Sequence, residues 1–480
     1  MLPRSPSPVQ YWQIFGVLAM LAAVVGMASC AGIASSSTSS SSSPTNQAPA
    51  DAIPSIYMGM QMNSGTISRQ PWPSVPFGAQ RLWDSGVSWQ DINPADGVYN
   101  WTLLDEWLTD ARAHNVDVLY TFGETPAWAS SSPNDSSCAA GAGSCDPPND
   151  LNADGTGSNQ HWKDFVSALV SHSQQSSSGH IQYWEIWNEA LGNRLRWTGT
   201  ISQLIRMAQD ASAIIKQADS SAVVLTPTFG PQLKTSRTLL DSYLAAGGGQ
   251  YADAIALHGY VTGQKTAGNP EDLVRNMSLS QPILSKYGQD QKPVWDTEAS
   301  WGDILNNGFT DPDMQAAFLA RFYLLHWSAG IARFYWYQWN NQVWGTLWKP
   351  DLGDPSAPGS LLAPGVAYKN VSDWMIGASL TSNCSATGSV WTCQFKRANG
   401  YQALAVWDAS QSCSGGTCTT SSFAFPAGYT RYRDLAGNTN MLAGSTVAIG
   451  AKPDNGKLKM ANGKNYRIYT FYKSFKPQRH

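Results

Sequence analysis

From about residue 53 to residue 377, short apolar runs alternate with longer amphipathic ones. The short runs are 56–60, 78–82, 116–121, 181–187, 222–226, 254–257, 293–297 and 331–336. Their near-continuous apolar character predicts parallel strands buried on both faces. Between them, residues 101–114, 162–173, 201–218, 235–244, 272–287 and 313–328 carry the apolar spacing of amphipathic helices. Eight strands with intervening helices favour a (β/α)8 TIM barrel over an open doubly wound sheet. An open sheet usually advertises a glycine-rich phosphate loop, and no G-x-G-x-x-G follows the first run. Beyond residue 377 the helical period gives way to short alternating runs at 389–395, 402–407, 422–425, 429–434, 445–449 and 466–472. Turns such as Ala398-Asn399-Gly400 separate them, which predicts an antiparallel β-sandwich over 378–480.

In such a barrel, chemistry belongs at the C-terminal ends of the strands. Polar or aromatic residues end most of the runs: Arg81 with Trp83-Asp84, Glu124 ahead of Trp128, Asn188-Glu189, His258-Gly259-Tyr260, Glu298, and Tyr337 to Trp339. The fourth run, Tyr183-Trp184-Glu185-Ile186-Trp187, stops abruptly at Asn188-Glu189. A carboxylate there is costly unless solvated or used. It reads either as a catalytic acid/base or as a charge where strand meets loop. Glu298 ends the seventh run, across the ring from the fourth, so the two side chains could approach the ~5 Å separation of a retaining glycosidase pair. That chemistry expects Glu189 raised in pKa by apolar neighbours, and Glu298 kept ionised by donors such as Arg81 and Tyr260. Strand alternation points Asn188 and Glu189 to opposite faces, so both reach one site only where the strand has ended or bulged. Glu185 and Asp296 share parity with Glu189 and Glu298 and are rival carboxylates; the reading we favour makes them buried partners of Arg81 or of a backbone amide. Glu124 and Asp84 suit substrate contact or loop capping, and Trp128 is a sugar platform or a loop anchor.

The chain has 480 residues, 42% hydrophobic, with formal charge -3, which gives no electrostatic reason to expect nucleic acid as a partner. Its 21 Trp and 19 Tyr suit flat ligand faces such as sugars as well as a large core. Arg4, an apolar stretch over 11–28 and small residues after it describe a secretory signal ending near residue 30. Cys30 resembles the lipidated cysteine of a bacterial lipoprotein, so the protein is expected to be secreted or lipid-anchored at the cell envelope. Residues 31–52, rich in Ser, read as a flexible tether. The other six cysteines fall into close pairs, Cys138/Cys145, Cys384/Cys393 and Cys413/Cys418, read as three local disulfides. A zinc site competes, but no Cys-x-x-Cys occurs.

Trp184-Glu185-Ile186-Trp187-Asn188-Glu189, with Trp295-Asp296-Thr297-Glu298 downstream, resembles the retaining (β/α)8 glycoside hydrolases. Thr125-Pro126-Ala127-Trp128 looks most like glycoside hydrolase family thirty-nine, the β-xylosidase group. The resemblance implies Glu189 as acid/base and Glu298 as nucleophile. It further implies Asn188 on a sugar 2-hydroxyl, His258 and Tyr260 lining the site with Tyr260 bonded to the nucleophile, and Trp339 as the floor beneath the sugar. Ala190 stands where that family usually has Pro, and residues 130–160 form an insertion. The implied partner is a carbohydrate substrate, and no cofactor is called for. A non-catalytic carbohydrate-binding barrel and an endo-acting glycanase are the alternatives. A metallohydrolase is disfavoured by the absence of H-x-H and H-E-x-x-H, and a serine hydrolase by the absence of G-x-S-x-G.

Overall fold

The computed structural model describes residues 48–473, apart from 64–70, 262–267, 352, 355–356, 399, 443 and 452–468. The expected signal, Cys30 and most of the Ser-rich tether lie outside the described residues. No helix among those described is long and apolar enough to cross a membrane.

Eight parallel strands form the central sheet: β1 Met58–Gln61, β2 Ala79–Leu82, β3 Asp117–Thr121, β4 Tyr183–Glu185, β5 Val223–Leu225, β6 Ile255–Leu257, β7 Val294–Ala299 and β8 Ile331–Trp336. Their order runs β5-β4-β3-β2-β1-β8-β7-β6. Parallel bridges Leu225 to Ala254 and Phe229 to Leu257 join the two ends, so the sheet closes on itself. This is the (β/α)8 barrel the apolar rhythm predicts. The helices Thr102–Ala113, Gln160–Gln175, Ile201–Ala218, Lys234–Ala245, Asp272–Lys286 and Pro312–Ser328 lie where the amphipathic runs put them.

Alternation along the strands sorts the side chains into two layers. Ala79, Leu119, Leu225, Ala254, Ala256, Trp295 and Tyr335 fill the barrel interior as one small apolar cluster. Arg333 stacks there over the rings of Tyr183 and Trp295, at 4.0 and 4.2 Å. Their outward-facing neighbours, among them Tyr120, Trp184, Val224 and Phe334, join the helices in the main core. Because Arg81, Thr121 and Glu185 share the inward parity, they lie above this apolar plug at the C-terminal mouth.

The C-terminal part is antiparallel, as expected. Seven strands form one sheet whose longest pair is Val390–Lys396 with Gln402–Asp408, and Thr420–Ala424 pairs with Thr446–Gly450. Leu404, Val406, Tyr429, Tyr432 and Ile449 form a core between these layers. The other face merges with the barrel's core through Phe395, Ala405 and Trp407, and Trp407 Nε1 donates to Glu271 Oε1 at 2.7 Å. All three disulfides form: Cys138–Cys145, Cys384–Cys393 and Cys413–Cys418.

Candidate active site

The mouth is built around Arg81. Its guanidinium is fully buried and held by four side chains from neighbouring strand ends. Nε donates to Glu185 Oε2 at 2.9 Å, and Nη1 donates to Gln61 at 3.0 Å and to Glu298 Oε2 at 2.6 Å. Nη2 donates to Asn188 Oδ1 at 2.6 Å. Thr121 Oγ1 adds a bond to Glu185 at 2.6 Å. A buried guanidinium requires such pairing, since burial alone disfavours its charge; here the two carboxylates more than offset it and hold Arg81 protonated. Glu185 is thus the buried partner of Arg81, as expected. Asp296 meets the other half of that expectation, as the buried partner of a backbone amide. It faces outward, accepting from the Gly259 amide at 3.1 Å and bonded to His326 Nε2 at 2.7 Å. A Cβ at position 259 would sit 2.1 Å from Asp296 Oδ2, which accounts for glycine between His258 and Tyr260.

Both catalytic candidates reach the site because the strands break their alternation. β4 ends at Glu185, and Trp187 and Glu189 then take left-handed backbone conformations, with φ of 69° and 51°. These are uncommon for side-chain-bearing residues and need local support. Trp187 Nε1 donates to the Arg196 carbonyl at 2.8 Å, and the Glu189 amide donates to Thr228 Oγ1 at 2.5 Å. β7 shifts register against β8 between Asp296 and Ala299, which turns Glu298 inward although Asp296 points out. As a result, carboxylate oxygens of Glu189 and Glu298 and a ring nitrogen of His258 all lie within 4.8 Å of one another.

Each carboxylate has its own donors. Glu298 Oε1 accepts from the Tyr260 hydroxyl at 3.0 Å, opposite Arg81 on Oε2. Glu189 Oε1 lies 3.2 Å from His258 Nδ1, and Oε2 accepts from Asn193 Nδ2 at 2.6 Å. The two shifts run opposite to those expected from the sequence. Burial pushes Glu189 up, but the bond to His258, its charge, Asn193 and Arg196 outweigh it and bring the carboxyl to about 2. Burial raises Glu298 above the usual carboxylate range; His258 and Arg81 pull it down, while Glu189 and Asp84 push it up again. His258 is disfavoured as a cation by burial, yet Glu298 and Glu189 raise its pKa. Tyr260 is raised by burial and by Glu298, so it remains a neutral donor. The same Glu189, His258 and Glu298 could ligate a cation, but Arg81 already supplies positive charge 2.6 Å from Glu298, so we assign no metal there.

The remaining candidates divide. Asn188 is buried with its Oδ1 held by Arg81, which leaves the NH2 end of the amide as the donor available to a ligand. Glu124 lies at the rim, 3.5 Å from Arg196 and bonded to Gln90 at 3.0 Å. Trp128 is half-buried, donates to the Asn93 carbonyl at 2.9 Å and meets His161 edge-on. Trp339 is 1% exposed and stacks on Trp348, so neither face of its ring is open to a sugar, contrary to the expectation. Just past β8, Tyr337 has its hydroxyl donating to Asp84 Oδ2 at 2.7 Å and its ionisation resisted by burial, Asp84 and Glu298. Sequence reading missed Asn193 and Arg196. Both sit in an aperiodic loop after β4, where polar residues carry no distinguishing signal.

Fold and site together define a closed parallel barrel with facing glutamates at its C-terminal mouth and antiparallel sheets appended. Solved structures share this architecture. They include a monomeric β-xylosidase from Caulobacter crescentus (TM-score 0.59, 14% identity, covering 89% of this chain and 97% of that one). A GH39 enzyme from Xanthomonas axonopodis pv. citri matches at TM-score 0.57 and 14% identity, over 89% and 96% of the two chains. A GH30 endoxylanase from Clostridium papyrosolvens matches at TM-score 0.55 and 13% identity, over 90% and 98%. No protein-family model matches the sequence, and no curated protein does either.

Proposed function

We propose that the protein is a retaining β-glycosidase, exported to the cell envelope, that cleaves xyloside-type linkages by double displacement. The observation that carries this reading is the Glu189–Glu298 pair, with one carboxylate oxygen of each within 4.8 Å of the other. Inverting enzymes space their carboxylates at ~6.5–9.5 Å to admit a water, whereas retaining ones need only ~5–5.5 Å. The structural neighbours named above as a β-xylosidase and an endoxylanase support the substrate class at the level of fold.

Glu298 attacks the anomeric carbon, with Arg81 and Tyr260 fixing its oxygens. Glu189 protonates the leaving oxygen and later deprotonates water. The low pKa of Glu189 fits this cycle when Glu189 and His258 share one proton and Glu298, held by Arg81, is the ionised carboxylate. The Glu189 side chain is still 30% exposed. A sugar over it removes that water, raises its pKa and draws the proton from His258 Nδ1 across the existing 3.2 Å contact. The Cys30 lipid anchor belongs to the same proposal. A non-catalytic binder would need neither glutamate, still less separate donors for each.

The test is hydrolysis of 4-nitrophenyl β-xyloside by the parent, Glu189→Gln and Glu298→Gln. We expect each variant to lose at least about 10²-fold in kcat. Azide should rescue Glu189→Gln alone, giving a β-configured glycosyl azide, and NMR should show first product of retained configuration. First product with inverted configuration would refute double displacement; an inactive parent would refute catalysis.

A further inference from the structure

We infer that the protein carries a second ligand site, apart from the catalytic mouth, that takes a phenol bearing a carboxylate on a short arm. A cavity of about 320 Å³ lies between the loop after β7 and the loop after β8. Trp301, Ile304, Val343, Trp348 and Leu362 give it apolar walls. That volume is at the small end for ligand pockets and suits one ring with a short side arm. Both indoles are held by other aromatic rings. Trp301 meets Trp336 at 5.1 Å, and Trp348 stacks on Trp339 at 6.1 Å and donates to the Pro358 carbonyl at 2.9 Å. The walls are therefore fixed before a ligand arrives. Neither glutamate lines the cavity, nor does any of their donors named above. Val343 and Thr346 face it, while the ring of Trp344 between them packs edge-on to Tyr260, the donor to Glu298, at 6.0 Å.

The polar atoms of the lining decide what it holds. Trp301 is 1% exposed and Thr346 9%, and Trp301 Nε1 and Thr346 Oγ1 are buried with no hydrogen-bond partner among the described residues. Leaving such groups unpaired is costly, so a ligand that pairs them gains by it. An indole N–H can only donate, whereas a threonine hydroxyl donates or accepts. A hydroxyl on the ligand serves both. The flat apolar walls favour an aromatic ring over the crowded hydroxyls of a sugar. Lys349 is the single charged residue of the lining; it is exposed and pairs with no carboxylate among the described residues. A cation with no acid beside it in the lining selects an anion at the open end. Ring, hydroxyl and carboxylate together define the ligand class.

The full chain should be titrated calorimetrically with 3-(4-hydroxyphenyl)propanoate, and we expect a Kd below about 1 mM. Loss of the hydroxyl, in 3-phenylpropanoate, should weaken binding about tenfold. Loss of the charge, in 3-(4-hydroxyphenyl)propanamide, should weaken it about threefold, since Lys349 is exposed. On the protein side, Thr346→Val should shrink the preference for the hydroxyl, and Lys349→Met should abolish the preference for acid over amide. Preferences are read because they survive a general loosening of the fold that would weaken all three probes alike. Glu298→Gln, in the catalytic mouth, should bind the acid as tightly as the parent. No binding up to about 10 mM overturns the site. So does a Glu298→Gln protein that binds as weakly as Thr346→Val, which would put the ligand in the catalytic mouth. A preference for hydroxyl or carboxylate that the parent lacks, or that the matching variant leaves intact, overturns the ligand class. None of these results depends on turnover, so the glycosidase reading stands or falls separately.

Discussion

Arg81→Met removes the cation on which the site is assembled. Three acceptors besides Asn188 depend on it: Glu185, Gln61 and Glu298, at 2.6 to 3.0 Å. Glu185 is fully buried and Glu298 nearly so. Breaking a buried pair by deleting one partner costs about 3–5 kcal/mol, because the remaining charge stays desolvated. With total stability typically ~5–15 kcal/mol, that is a large fraction, and for a chain of this length the melting temperature should fall by roughly 3–6 °C. The catalytic consequence is separate. Without Arg81, burial and the charge of Glu189 raise Glu298 further, so the acid limb of kcat/KM should move to higher pH by at least about one unit, with a rate loss of about 10³-fold at its old optimum. Adding Glu185→Leu to Arg81→Met removes the stranded buried charge, so stability should partly return while activity does not. The assay is differential scanning calorimetry beside a pH–rate profile on an aryl β-xyloside. An Arg81→Met protein with parental melting temperature and acid limb would refute the account; so would a double variant that regained activity along with stability.

Two further predictions probe the acid/base side. Asn193→Ala removes the 2.6 Å donor from Glu189 Oε2. The lowered pKa of Glu189 then rises, and the alkaline limb of kcat, which reports the substrate complex, should move up by as much as about one pH unit. The same lowered pKa means that Glu189 contributes stability above its unfolded value, lost as pH falls toward about 2, so Asn193→Ala should also unfold at higher pH in an acid titration. An alkaline limb that stayed put or fell would show that Glu189 does not carry the dissociating proton. The Cys138–Cys145 disulfide closes a loop stitched to the acid/base loop: Ala139 N donates to the Leu195 carbonyl and Thr198 N to the Cys145 carbonyl, each at 2.9 Å. Replacing both cysteines by Ser should cost about 2 kcal/mol by chain entropy and lower kcat several-fold through looser Asn193; unchanged kcat with a lowered melting temperature would confine the loop to a structural role.

The fold was legible where local pattern and tertiary use coincide. The helix expected over 201–218 is Ile201–Ala218, with a capping box between Thr200 and Gln203 that periodicity alone could delimit. The fourth strand was read too long, as 181–187, because Ile186 and Trp187 are apolar for another reason. They leave the sheet after Glu185 and pack into the main core, Trp187 against Trp162 and Trp197. Apolar character reports burial, not the partner against which a residue is buried. The glutamates were legible because a carboxylate at the end of a buried strand has few structural uses. Their relative acidity was not, since it is set by His258 and by Asn193, on loops whose paths no periodicity encodes. Trp339 failed as the sugar floor for a similar reason: alternation past Trp336 assumes a strand that has already ended.

The breaks in regularity at β4 and β7 are unequal in kind, and this bears on how the site works. At β7 a register shift delivers Glu298 onto a rigid frame: Arg81 and Tyr260 hold its two oxygens, while Asp296, locked outward by His326 and Gly259, fixes the strand behind it. At β4 the strand simply ends, and Glu189 rides on a left-handed turn whose supports, Thr228, Asn193 and the Arg196 carbonyl, all come from loops. A nucleophile must keep its lone pair aimed at one carbon, so fixed donors serve it. An acid/base must change its proton twice per turnover, so partial exposure and loop-borne donors serve it better. The asymmetry therefore assigns nucleophile to Glu298 and acid/base to Glu189 on mechanical grounds, independently of either carboxylate's resting charge.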